Sequence, residues 1–302
     1  MRRIYDVDVL LEQYHSSLKP GPGTLVRLIG LDGRDGYNPS NPVPDGAHPY
    51  TYVRVEPRQD EFDSWSVPFR QRAVDRWELD EHLPRLRLQD PSVAVLNGTL
   101  VVGGVRIVDQ SPRHVIWETV FYRGPRLESL SEFARSPLLM KDVRLIEIEP
   151  SIIGVFTRPL GGKAGRGQIG YTEISSIDEL TTAVMAEAEM IESQPIAEHW
   201  WGANAVYRLD GDNLGVLAHI AKFEGESRHY YPIAFVFDRR TRRIVREPKI
   251  IADRSCFPAH AAKRPDLEDV IFPAWLDRKR GLLCGGLSDV AIGVLAIEDP
   301  FV

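Results

Sequence analysis

Apolar side chains at Ile4, Val7, Leu10, Leu11, Tyr14 and Leu18 repeat every three or four positions, which places them on one stripe of a helix. Residues 4–18 are therefore predicted as an amphipathic helix, ended by Pro20 and Gly21. After that the period changes. Short runs of β-favouring residues bounded by turn formers occupy 24–30, 93–95, 99–102, 115–122, 144–149, 152–157 and 167–174. The later half continues with 203–209, 214–222, 230–237, 243–252, 270–276, 282–287 and 292–297. Asn97-Gly98 between two such runs predicts a two-residue hairpin, because both central positions of a type I′ turn need positive φ. Asp210-Gly211-Asp212-Asn213 predicts another turn; the distal Glu of a calcium loop is missing. A second helix is expected over 177–191, with Ser176 as cap and Glu179 as its reciprocal partner.

The strands group into five units of roughly 50 residues, beginning near 25, 88, 144, 200 and 263. The expected fold is all-β: a five-bladed β-propeller forming one domain over 1–302, with a short helix within 1–20. A pair of β-sandwiches is the alternative. The propeller better explains why polar motifs recur at the first strand of each unit, since those strands line a central channel.

Composition narrows the function. Acidic residues number 43 against 37 basic, a net charge of −6, so the basic excess that neutralises nucleic-acid phosphate is absent. Charge interrupts the N-terminal segment where a signal peptide would be apolar, and no run approaches the roughly 20 apolar residues of a membrane span. A soluble cytoplasmic protein is expected, with no nucleic-acid or membrane partner. The two cysteines, Cys256 and Cys284, are read as reduced thiols. Among the eight histidines no pair has metal-ligand spacing, and neither a metal nor a cofactor is expected.

The sharpest chemical signal is Gln89-Asp90-Pro91 at the start of an apolar hairpin. By spacing alone it is either a turn-forming Asp-Pro or an acid facing a channel. Arg158-Pro-Leu-Gly-Gly-Lys163-Ala-Gly-Arg166-Gly is either a solvated basic hairpin or an anion cluster whose glycines admit a ligand to the backbone. It lacks the ending of a Walker loop. Gly286-Leu287-Ser288-Asp289-Val290 lacks the last glycine of a nucleophile elbow, and Gly30 to Gly36 lacks dinucleotide spacing. His219, in an apolar strand, reads equally as a core residue or a ligand.

These motifs, together with Tyr37-Asn38, Gly103-Gly104, Phe121-Tyr122-Arg123-Gly124, Lys141-Asp142-Val143-Arg144, Trp201-Gly202-Ala203-Asn204, Arg228-His229-Tyr230-Tyr231 and Lys263-Arg264-Pro265-Asp266, follow one another along nearly the whole chain. In that order they resemble the mannosyltransferase/phosphorylase family formerly known as a domain of unknown function (glycosyltransferase family 108), which is related to the mannoside phosphorylases of glycoside hydrolase family 130. The resemblance implies an inverting enzyme acting on mannosides with mannose 1-phosphate and phosphate, with Asp90 as general acid/base. A phosphorylase needs no second carboxylate to activate water, but it does need cations for phosphate. Lys163, Arg166 and His229, with Arg123 as a fourth, are assigned to phosphate; Asn38, Tyr37, Trp201, Asn204, Asp266, Asp269 and Asp289 are assigned to sugar. A hydrolase on the same scaffold and a non-catalytic glycan-binding propeller are the alternatives; a homo-oligomer stays open. The sequence departs from the family pattern at Ala205, at Asn38-Pro39-Ser40-Asn41-Pro42 and at Phe272-Pro273-Ala274-Trp275-Leu276, all expected to face the channel and to bear on acceptor preference.

Overall fold

The computed structural model describes residues 3–44, 48–111 and 114–302; Met1 and Arg2 of the predicted N-terminal segment lie outside them. The helix is shorter than its periodicity predicts, running Val7–His15 behind an Asp6 cap that accepts from the Asp8 amide. Its stripe is the expected one, with Val7, Leu10 and Tyr14 buried. Ile4 instead belongs to the strand Ile4–Tyr5, parallel to Gln194–Pro195, and Leu18 is exposed. The helix expected over 177–191 breaks into a 3-10 turn Ile177–Glu179, a short helix Thr182–Ala186 and a strand Glu189–Met190. Thr181 supplies a second cap that restarts the chain, and Glu179 reaches Ser175 rather than Ser176.

Strands dominate the rest. Arg27–Ile29, Asp35–Tyr37, Tyr50–Glu56, Trp65–Ala73 and Arg76–Leu79 make a five-stranded sheet. Most of it escaped the sequence pattern because Pro68, Arg70 and Arg72 interrupt the apolar run. Gln89–Leu96, Thr99–Ser111, His114–Gly124 and Ser131–Arg135 form a four-stranded antiparallel sheet, and Met140–Glu149, Ile152–Pro159, Gly170–Ile174 and Glu189–Met190 form another. The predicted hairpin turn holds, with φ of 49° at Asn97 and 75° at Gly98.

The remaining strands share one eight-stranded sheet. Trp200–Arg208, Asn213–Glu224, Ser227–Asp238 and Arg243–Ile250 are antiparallel. A short parallel pairing of His229 and Tyr230 with Asp269 and Val270 adds Asp269–Asp277, Leu282–Leu287 and Ala291–Ala296. Thr24–Leu25 closes the far edge against Gly293 and Val294. The single strand expected over 24–30 is thus two, and they serve different sheets. Cys256 and Cys284 are buried and unpaired. Among the described residues no helix is long and apolar enough to cross a membrane.

One irregularity repeats. The opening strands at Gln89, Met140, Trp200 and Asp269 each lose register, between Gln89 and Ser92, Lys141 and Arg144, Ala203 and Ala205, and Pro273 and Trp275, the second of them again between Glu147 and Glu149. A bulge re-aims the side chains beside it, and two of these four carry Asp90 and Asp142.

Candidate active site

Asp90 and Asp142, at the bulges, converge with Asn38 and Asp289 on a cavity of about 380 Å³. All four have positive φ, 48°, 53°, 44° and 56° respectively, a conformation that costs a non-glycine residue energy and persists only where its surroundings enforce it. Gly286 is one such enforcement: a Cβ there would lie 1.9 Å from Asn38 Oδ1. A larger hollow of about 500 Å³ near Leu31 and Trp65 has only exposed charges, Asp32, Arg34 and Arg85.

Asp90 is held ionised. Its Oδ1 accepts from Asn38 Nδ2 at 2.8 Å and from the Arg54 guanidinium at 3.1 Å. Burial favours the neutral acid, but the Arg54 charge and the Asn38 hydrogen bond outweigh it and hold the pKa below the usual carboxylate value. Arg54 is fixed from behind, donating through Nε to Glu56 at 2.8 Å and lying 5.0 Å from the centre of the Tyr37 ring. Glu56 also accepts from Tyr37 and Lys263. Asp289 behaves oppositely: burial, with Asp90 and Glu56 adding to it, pushes its pKa up to about 6 against the opposing Arg54 and Lys263.

Cations face these carboxylates. Lys141 lines the same cavity, its pKa pushed down by burial and by neighbouring Arg158. Arg158 donates to Asp142 at 3.0 Å and to the Arg166 carbonyl at 3.3 Å. Burial opposes ionisation of Asp142, but Arg158 and its other cationic neighbours hold it at about 2. Burial keeps His219 neutral, its pKa pushed down to about 3, with Nδ1 2.8 Å from Asn204 Oδ1. Glycines make this packing possible, since a Cβ at Gly202 would come within 2.8 Å of Arg158, Asp142 and His219. An adjoining lobe of about 180 Å³ is lined by Lys141, Arg158 and Arg166 with Trp117, Trp200 and Phe223.

The structure gathers some of the sequence-predicted residues and disperses others. Asp90, Asn38 and Asp289 line the main cavity, and Arg166 lies at the adjoining lobe, 5.3 Å from the centre of the Phe223 ring. Lys163 is exposed and lines neither space. Arg123 pairs with Asp178 at 2.5 Å, away from both. His229 bonds Asp269 at 2.7 Å, and Asp269 also accepts from Tyr231 at 2.5 Å, so that pair ties adjacent strands together outside the cavity. Asp266 stands one layer back, joined to Arg264 and Arg228. Tyr37 is fully buried behind Arg54.

Strand alternation explains the tryptophans: Trp200 lines the cavity, while Trp201 points into the core against Phe235. Asn204 is buried and belongs to a second hollow further along its strand. Sequence reasoning missed Arg54, Arg158 and Lys141 as site residues, although the last two sit in motifs it quoted. Among the described residues one trio could hold a metal by distance, Asp6, Asp8 and His199, but each is engaged. Asp6 caps the helix, Asp8 pairs with Lys222 and His199 Nδ1 accepts from the Val7 amide.

Comparison with known proteins gives the same neighbourhood. A mannose phosphorylase from Leishmania mexicana, solved with phosphate ion, is 29% identical over 97% of this chain and 93% of its own, with a TM-score of 0.88. A GDP-Man-dependent mannosyltransferase from the same organism is 27% identical over 98% and 94%, with a TM-score of 0.87. A β-1,2-mannobiose phosphorylase from Listeria innocua, at 14% identity over 88% and 91% and a TM-score of 0.64, shares the fold. A search of the curated proteins finds no match. Residues 17–302 match the family model described as "Protein of unknown function (DUF1861)", and the chain belongs to that family.

Proposed function

We propose that the protein is an inverting mannoside phosphorylase or mannosyltransferase on a five-bladed propeller, a single domain in which the eight-stranded sheet counts as two blades. The observation that carries the reading is that Asp90 and Lys141 face one sugar-sized cavity, with Arg158 in the adjoining lobe. In the synthetic direction the acceptor hydroxyl attacks C1 of mannose 1-phosphate. Its proton passes to Asp90, and the C1–oxygen electrons leave with phosphate, whose charge Lys141 and Arg158 receive, with Arg166 at the mouth. Phosphorolysis runs the same steps backwards, with Asp90 protonating the departing oxygen. The carboxylate that Arg54 holds ionised suits the base role, and phosphorolysis requires the same group to take up a proton first. Asn38 and Asp289 are placed for sugar hydroxyls and Trp200 for a sugar face. Cytoplasmic location, as expected from the sequence, remains part of this reading.

The test incubates the protein with mannose 1-phosphate and a panel of mannose acceptors and follows phosphate release, with Asp90→Asn as control. Release by the wild type alone supports the proposal. Phosphate-independent cleavage of mannosides would replace it with a hydrolase, and sugar binding without turnover with a glycan-binding protein.

A further inference from the structure

A second cavity of about 340 Å³ opens further along the same innermost strands, lined by Ser92, Arg144, Glu147, Asn204, Tyr207 and Arg208 among others. Only a thin polar wall separates it from the first: Asp142 and His219 face the main cavity, Arg144 and Asn204 face this one. Its donors are under-used. Arg144 is buried and spends Nε on the Asn204 carbonyl at 2.8 Å and one terminal nitrogen on the Val143 carbonyl at 3.1 Å. Its other terminal nitrogen comes only within 3.9 Å of Asp142, whose carboxylate already takes Arg158 at 3.0 Å. Asn204 is 3% exposed, its Oδ1 is occupied by His219, and its Nδ2 has no partner. Glu147, the acid in this wall, accepts the Asn97 amide.

Asp142, with Asp90 beside it, thus answers Arg144, Arg158 and Lys141, two carboxylates to three cations, and Asp90 is already held by Arg54. A buried cation that shares its counter-charges with other cations and has no close ion pair, beside an unpaired amide donor, calls for an acceptor carrying negative charge. We propose that this second cavity binds a small free oxyanion of the size of inorganic phosphate, held by Arg144 and the Asn204 amide, and separate from the phosphate position assigned to Lys141 and Arg158.

Calorimetric titration with inorganic phosphate tests this. The wild type should bind two phosphates per chain, Arg144→Met one and Lys141→Met one, the two variants losing different sites. A single site lost in Lys141→Met and kept in a folded Arg144→Met overturns the inference and leaves the proposed function standing; a single site lost only in Arg144→Met does the reverse. If Arg144→Met does not fold, as judged by its melting transition, crystals of the wild type soaked in selenate decide. An anomalous peak within hydrogen-bond distance of Arg144 and Asn204 supports the site, and its absence overturns it.

Discussion

Asn38 Nδ2 lies 2.8 Å from Asp90 Oδ1 although 52 residues separate them, and both residues hold positive φ to meet there. The contact fixes one carboxylate oxygen and, with Arg54 on the same atom, leaves Oδ2 as the one presented to a ligand.

Gly286→Ala should therefore injure the site from behind. The added methyl would overlap Asn38 Oδ1, and Asn38 can move only by giving up Asp90. Overpacking of this kind costs roughly 1–3 kcal/mol. The expected outcome is a lowered melting temperature together with a loss of turnover of at least about tenfold, measured as phosphate release from mannose 1-phosphate. Unchanged turnover in the destabilised variant would show that Asn38 does not position the acid.

Arg54→Met removes the charge that offsets the burial of Asp90, so the Asp90 pKa should rise above its present depressed value. In the synthetic direction, which uses the carboxylate, the acid limb of the pH–rate profile should move to higher pH. An acid limb that stays in place would assign it to another group.

Asp142 and Asp289 predict opposite pH dependences of stability. Asp142 titrates near 2 in the fold against an ordinary 3.8, so its contribution, about 2 kcal/mol, is present above pH about 4 and lost as pH falls toward 2. Asp289 is raised from 3.8 to about 6, so the folded state holds a proton that the unfolded chain releases; stability is lost as pH rises from about 4 through 6. Asp289→Asn should accordingly melt higher than wild type at pH 7.5, by up to about 3 kcal/mol, and the difference should vanish below pH about 4. Melting curves across this range check both signs.

The neighbouring tryptophans should separate function from stability. Trp201→Ala removes a fully buried ring stacked 5.5 Å from Phe235 and bonded to Gln194, and should cost about 3–5 kcal/mol. Trp200→Phe keeps a ring in the cavity but loses the bond to the Tyr230 hydroxyl at 3.1 Å; it should melt within a few degrees of wild type while KM for the sugar rises several-fold. Chemical melts and steady-state kinetics on the two variants distinguish these effects.

The chain's own pattern determined the class of fold, the stripe of the N-terminal helix and the Asn97-Gly98 turn, because periodicity and turn chemistry act within a few residues. The order of its motifs also marked Asp90 and pointed to mannoside chemistry. What the sequence left undecided was which cations meet that acid. Lys163 and Arg166 read alike in a glycine-rich segment, yet only Arg166 stands at the lobe, while Arg54 is an isolated charge on a β-rich strand that no motif marked. Trp200 and Trp201 differ only in which face of a strand they occupy, and bulges at Asp90 and Asp142 shift that alternation by one residue. Register, bulges and burial are set by partners distant in sequence, so only the assembled sheets decide which polar groups share a cavity and which carboxylate among them stays charged.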